Sequence, residues 1–280
     1  MKRRTLLFRN LTDRTMGAVA IACLLGVLAA MLWILESVGT HGAAVISWEF
    51  LTQPSRPHGV PGGGIANALL GTFLMTLCAA AMAVPAAMAG GIWLSEFAAE
   101  SKTGGVLRAA ANVMMGIPSI VTGLFVYAAW VVPTGHFSGF AGSLALAIIM
   151  FPVVMRTTED MLRMVPNTQR EAALALGMTR ARATLTVVCR CARGGLATGV
   201  LMALARVSGE TAPLLFTALW SNAWCGGFFH SPTANIPVLM TEYTTNSPYE
   251  ALHAAGWGAA LVMMACLLVL NITTRIYANR

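Results

Sequence analysis

The run TMGAVAIACLLGVLAAMLWIL, Thr15–Leu35, holds 21 residues without one charged side chain. At about 1.5 Å of rise per residue, a helix of that length covers roughly 30 Å, the depth of a bilayer's hydrocarbon core. A secretory leader is the competing reading, but its apolar region is usually only about 7–15 residues long. The run is therefore read as a first membrane-spanning helix. Before it stands MKRRTLLFRNLTDR, with five basic residues and one Asp.

The same character continues along the chain. Pro57–Ser95 and Ala109–Met155 also lack Asp, Glu, Lys and Arg. Of the 280 residues, 57% are hydrophobic and only 10% charged. An ordinary soluble domain carries roughly 25% charged residues. Mean hydropathy is +0.70. So little charge cannot clothe a soluble surface, which excludes a soluble enzyme or a nucleic-acid-binding domain. The fold class is an all-α integral membrane protein, with lipid as its solvent.

Breakers divide the apolar sequence into six spans, at about 15–36, 67–94, 109–132, 139–155, 194–220 and 254–277. PGGG at 61–64 precedes the second span, and Pro85 lies inside it. PTGHFSG at 133–139 separates the third from the fourth. Residues 1–14 form a basic N-terminal segment, and 15–280 form one transmembrane domain. The longest charged segment, 156–193, carries seven Arg.

Six spans put both termini on one side. Five Lys/Arg precede span one, two follow span two, seven follow span four and two follow span six. These sixteen fall on one side, against Arg56 alone on the other, while Arg206 lies within a span. Positive loops stay in the cytoplasm. Both termini are thus expected inside, as in a multi-pass bacterial inner-membrane protein. The net charge of +7 reflects this bias and not a nucleic-acid partner. All five His are expected outside, as ordinary loop residues. The six Cys show no disulfide or zinc pattern, so no metal site is expected.

No G-x-x-x-x-G-K-[ST] phosphate loop is present, and the only lysines are Lys2 and Lys102. The chain therefore needs no cofactor of its own and cannot hydrolyse ATP in the usual way. Within 156–193, REAALALGMTRARATLTVV (170–188) reads as a short helix, a flexible Gly177 and a second helix. Glu171, Ala172 and Ala173 open the helical run, and Leu174 and Met178 are spaced to share a face. Such an apolar face could dock in a partner's groove or lie along the membrane.

Arg206 falls 12 residues past Gly194, about 18 Å into span five and close to mid-membrane. A charge there costs about 2.5–3.5 kcal/mol on insertion scales, so it should face protein or a wet cavity. Glu210 follows one turn on and can pair with it. The pair reads either as an internal structural bridge or as a step on an anion path. A guanidinium offers a planar fork to two oxygens of an oxyanion. Ser208, Thr211 and Thr217 could line the same path or bond to their own helix. Pro118 and Pro213 could bend spans three and five.

Glu171-Ala172-Ala173, with Gly177 four residues on, resembles the EAA loop of ABC importer permeases. The family's later I-x-L-P is replaced here by Val187-Val188-Cys189-Arg190. GIWLSEFA (91–98), GIPSIVTGLF (116–125), FPVVMRTTEDMLRMVP (151–166) and SGETAPLLFTA (208–218) resemble the permeases of the high-affinity phosphate importer. The resemblance covers roughly residues 60–275.

The resemblance implies the type I ABC importer (MetI-like) permease fold. It implies a second homologous permease subunit, two ATPase subunits that bind ATP and Mg2+, and an external phosphate-binding protein. In that family the loop holding Glu171–Met178 docks into the ATPase. The external partner would sit on the loops at 37–66 and 221–253. The chain itself would catalyse nothing covalent and would pass inorganic phosphate by Arg206, Ser208, Glu210 and Thr211. The rival expectations are another oxyanion (phosphonate, molybdate or sulfate), a carrier or channel without ATPase, and a membrane protein that transports nothing.

Overall fold

In lipid a single segment satisfies its backbone by closing a helix, and every long element here is helical. α1 runs Lys2–Ala43. α2, Trp48–Thr52, is one turn capped by Ser47, whose side chain accepts the Phe50 N–H at 3.1 Å. α3 runs Ala66–Glu96, α4 Lys102–Gly116 and α5 Ser119–Thr134, with a π turn at Tyr127–Val131. α6 is Gly139–Arg163, α7 Asn167–Ala175, α8 Arg180–Cys191 and α9 Arg193–Ser208. α10, Ala212–Leu215, and α11, Ile236–Thr241, are short, and α12 runs Glu250–Ala278. The computed structural model describes residues 2–60 and 62–278, among which there is no strand. Met1, Pro61, Asn279 and Arg280 lie outside them, as do the side chains of residues 2–11, 274, 275, 277 and 278.

Among the described residues, four helices are long and apolar enough to cross a bilayer: α1, α3, α6 and α12. Two bent pairs, α4–α5 and α8–α9, bring the number to six. Several boundaries correct the sequence reading. From Lys2 on, the basic N-terminal segment is helical and continuous with the first span in α1. Pro85 is accommodated inside α3. α6 outruns the expected 139–155 and carries Glu159 and Arg163 on its last turns.

Span three is not one helix. It breaks at Ile117-Pro118 and turns by 98°. A proline pushes the preceding residue out of the helical region, and Ile117 sits at φ −71, ψ 129. Span five does not reach residue 220. α9 stops at Ser208, where the Gly209 N–H closes on the Arg206 carbonyl at 3.2 Å. Pro213 then starts the short α10. The irregular chain beyond is buried at Thr217 and Ala218. Its carbonyls are used, Thr217 O by the Ser138 N–H and Ala218 O by the Thr233 N–H, both at 3.0 Å. Non-helical backbone at such a place is tolerated only when protein satisfies it.

The core lies between α3 and α6. Met75, Ala79, Ala83 and Ala87 pack in one cluster with Leu146, Met150 and Val154. Small side chains on α3 let the two axes approach. α1 is peripheral: it meets α12 near its C-terminal end, where the His41 and Trp257 rings lie 5.3 Å apart.

Within 221–253, expected to be a loop, residues 233–239 and Tyr243 are buried while the rest stays partly or fully exposed. Thr233, Asn235, Ile236, Val238 and Leu239 are buried against the start of α3. Buried Asn67 accepts the Ser55 N–H at 2.9 Å and donates to the Ser55 hydroxyl and to the carbonyls of Ser221 and Ala223. The Ala234 carbonyl rides directly on Gly71, where an added Cβ would overlap its oxygen. Gly71→Ala is therefore expected to destabilise the fold by about 1–3 kcal/mol, the ordinary cost of overpacking. Thermal unfolding in detergent should show this, with Gly105→Ala unchanged because a Cβ there meets nothing within 4 Å.

Candidate functional site: a cavity at the α4–α5 bend

The bend at Ile117-Pro118 opens a cavity of about 200 Å³ between α4, α5, α6 and the end of α9. Its polar lining is Ser119, Thr122, Arg206 and Glu210, set among apolar residues such as Met114 and Val153. Arg206 occupies the last turn of α9. Its Nε lies 3.8 Å from Glu210 Oε1, with the Arg side chain 54% exposed and the Glu 18%. At that distance the carboxylate attracts the guanidinium without a close hydrogen bond, and its fork is left to bind elsewhere.

The first turn of α5 forms another wall. Ser119 opens this helix, and the Val121 N–H donates only to the Pro118 carbonyl at 2.9 Å. The leading N–H groups of a helix lack intrahelical acceptors, and its dipole adds partial positive charge there. An anion entering the cavity would thus meet a guanidinium from one side and a helix N-terminus from another.

The four expected pathway residues do not all converge. Arg206 and Glu210 line the cavity together. The Ser208 hydroxyl instead donates to the Ala205 carbonyl of its own helix at 3.0 Å. Thr211 takes the N-cap position of α10 and does not line the cavity. Thr217 bonds back to the Pro213 carbonyl at 2.8 Å. Ser119 and Thr122 were missed. Only the break after Gly116-Ile117-Pro118 places them opposite Arg206, and apolar periodicity does not locate such a break.

The second half of the site is the α7–α8 knob. α7 ends as a Schellman motif: the Gly177 N–H donates to Leu174 O at 2.9 Å, and the Met178 N–H to Ala173 O at 3.2 Å. Gly177 has φ +80, the left-handed conformation this motif requires. Helix, glycine and helix stand as expected. Met178 does not share a helical face with Leu174, because α7 has already ended at Ala175. Ala173 faces inward, while Glu171, Ala172 and Leu174 face out. Leu176, at the tip, is 80% exposed.

Buried charge anchors the knob. Glu96, at the end of α3, takes Arg170 Nη2 at 2.7 Å and Nε at 3.1 Å on its two oxygens. Arg170 Nη2 also reaches the Leu162 carbonyl at 2.8 Å, and its Nη1 bonds the Val165 carbonyl. Arg180 donates to the Glu96 carbonyl and covers the Phe97 ring. On α6, fully buried Glu159 gathers Arg108 at 2.6 Å, Arg163 at 2.8 Å and Arg156 at 3.1 Å. Arg156 and Arg163 flank Glu159 at i−3 and i+4, a hint present in the sequence, but nothing there pairs Glu159 with Arg108 or Glu96 with Arg170.

A polytopic helical fold, a cavity lined by Arg206 and Glu210 at a helix break and an anchored helix–glycine–helix knob fit a membrane permease. The family model described as binding-protein-dependent transport system inner membrane component matches residues 86–280. The chain belongs to this family of importer permeases. It is 41% identical over 275 residues to the phosphate transport system permease protein PstA of Xylella fastidiosa (strain 9a5c), covering 98% of this chain and 93% of that one. The PstA of Yersinia pestis is 38% identical, covering 98% and 92%. The probable PstA of Methanocaldococcus jannaschii is 34% identical, covering 98% and 96%. Among solved structures, an inward-facing conformation of the MetNI methionine ABC transporter superposes with TM-score 0.58 at 17% identity, covering 78% of this chain and 92% of that one. That likeness establishes the MetI-type permease fold.

Proposed function

We propose that this permease carries inorganic phosphate into the cell through the cavity at Arg206. The observation that carries the reading is Arg206 on the cavity wall, with Glu210 behind it and the α5 N-terminus across from it. The PstA names of its relatives give the oxyanion its identity. The fork of Arg206 would hold two phosphate oxygens. Glu210 draws on the same charge, so the anion is held loosely enough to leave. Glu210 can also accept a hydrogen bond from a protonated phosphate, which sulfate cannot offer at neutral pH.

A half-exposed arginine cannot face lipid cheaply. The open side of the cavity therefore fits a second, homologous permease of the PstC type. Leu174, Leu176 and Glu171 form an exposed tip suited to a groove on an ATPase, with two PstB-type subunits binding ATP and Mg2+. The excess of Lys and Arg in the basic segments supports a cytoplasmic side for that tip and both termini. A phosphate-binding protein of the PstS type would meet the opposite face. There Trp48, Trp224 and Phe229 remain exposed, while residues 233–239 are packed away. ATP-driven closure below would push the knob and switch the spans from inward-open to outward-open.

The test is phosphate uptake by phosphate-starved cells lacking the chain, with excess sulfate present. Wild type is expected to restore uptake that sulfate does not suppress. Glu210→Gln is expected to reduce that uptake while copurifying with its partners at the wild-type level. Equal loss of uptake and assembly would make Glu210 a structural residue. Uptake that sulfate competes away would move the substrate to another oxyanion.

A further inference from the structure

Two arginines near the ends of α3 and α6 are arranged reciprocally. Arg108 of α4 caps the end of α3, donating from Nη2 to the Leu94 and Ala98 carbonyls at 3.0 and 3.2 Å. Its Nε meets Glu159 of α6 at 2.6 Å. Arg170 of α7 does the converse. It donates to the Leu162 and Val165 carbonyls at the end of α6, and its fork meets Glu96 of α3. Each guanidinium therefore caps one span and pairs with the buried carboxylate of the other. Both carboxylates are out of water, Glu159 wholly and Glu96 almost so.

We infer that this cross-brace locks α3, α4, α6 and α7 into one body that transmits displacement of the knob to the anion cavity, with Glu96, Arg108, Glu159 and Arg170 as positioning residues. The inference rests on the proposed ATP-driven transport. The geometry supplies the linkage. α7 carries the exposed tip, and Arg170 sits within it. α4 runs from Arg108 to the bend at Ile117, and Met114, Ile117 and Val153 form walls of the cavity. Arg206 and Glu210 belong instead to the end of α9, which joins α8 through a 73° bend. A push on α7 would then move the braced walls relative to Arg206.

The residue types fit a transmission role better than a purely stabilising one. A buried ion pair is often no more stabilising than an apolar pair of the same shape, but it fixes one geometry. Arginine's planar fork serves a carboxylate and two carbonyls in one fixed geometry; a lysine ammonium has three donors but no such fork.

The experiment uses the whole transporter, all subunits and the external binding protein, in proteoliposomes. Phosphate uptake and ATP hydrolysis are measured together for wild type, Glu96→Gln, Arg108→Lys and Arg170→Lys. Each variant is expected to move about tenfold less phosphate per ATP, an ordinary size for coupling between sites. Hydrolysis should persist. Arg163→Ala, which touches Glu159 from a half-exposed position outside the cross, should keep the wild-type ratio. Proportional loss of uptake and hydrolysis, an unchanged ratio, or failure of all three variants to assemble would overturn the brace as a transmission element. The proposed substrate fails separately. If wild type shows ATP-dependent uptake of a different oxyanion, the same ratio is read with that anion.

Discussion

Arg206→Ala is expected to abolish most phosphate uptake while the transporter still assembles at wild-type levels. The two effects separate because the energetics of the residue are divided. Toward the fold, Arg206 contributes little: its contact with Glu210 is 3.8 Å long and its side chain is 54% exposed. Ion pairs of that kind contribute about 0–1 kcal/mol. Toward an anion it contributes much more. Charge-assisted hydrogen bonds are worth about 1.5–3 kcal/mol each, so losing even one of the fork's two bonds should lower uptake by roughly ten- to a hundredfold. Arg206→Lys keeps the charge and loses the planar fork, and its uptake should fall between the two. Radiolabelled phosphate uptake at matched membrane levels, with copurification of the partner subunits, checks the result. Wild-type uptake by Arg206→Ala would remove the residue from the path.

The spans were legible where apolar sequence is uninterrupted. α3, α6 and α12 lie where hydropathy placed them, because a charge-free run has no other way to satisfy its backbone in lipid. The helix–Gly177–helix pattern was legible too, since one glycine at φ +80 is a local requirement. What the sequence hid was long-range. Pro85 stays inside α3 while Pro118 ends α4, and composition does not distinguish the two. The end of α9 at Ser208 depends on Gly209 and Pro213 acting together, within a stretch whose hydropathy still reads as a span. Arg206 and Glu210 were found because charge in a span is costly. Ser119 and Thr122, neutral hydroxyls, carry no such mark. Arg170, the partner of Glu96, lies on another helix 74 residues on, and Arg108, the distant partner of Glu159, 51 residues back.

Those buried carboxylates set the second large effect. Glu159→Ala is expected to destabilise the fold by about 3–5 kcal/mol, the usual result of removing one member of a buried ion pair. The three arginines differ in what they lose. Arg163 is 43% exposed and can turn to water. Arg156 keeps Asp160 at 3.7 Å. Arg108 is only 17% exposed and would hold an unpaired charge against the end of α3. Its bonds to the Leu94 and Ala98 carbonyls persist, which places the expected loss toward the lower end of the range. Glu159→Gln keeps one carbonyl acceptor and should lose less. The cause can be isolated by removing the stranded charge as well. Glu159→Leu combined with Arg108→Met should recover most of the stability lost by Glu159→Ala, because no buried charge then lacks a partner. Thermal unfolding of the detergent-solubilised transporter would show the series. If Glu159→Ala melts with the wild type, the carboxylate is not holding α4 to α6; if the double variant melts no higher than Glu159→Ala, the loss comes from packing and not from the stranded charge on Arg108.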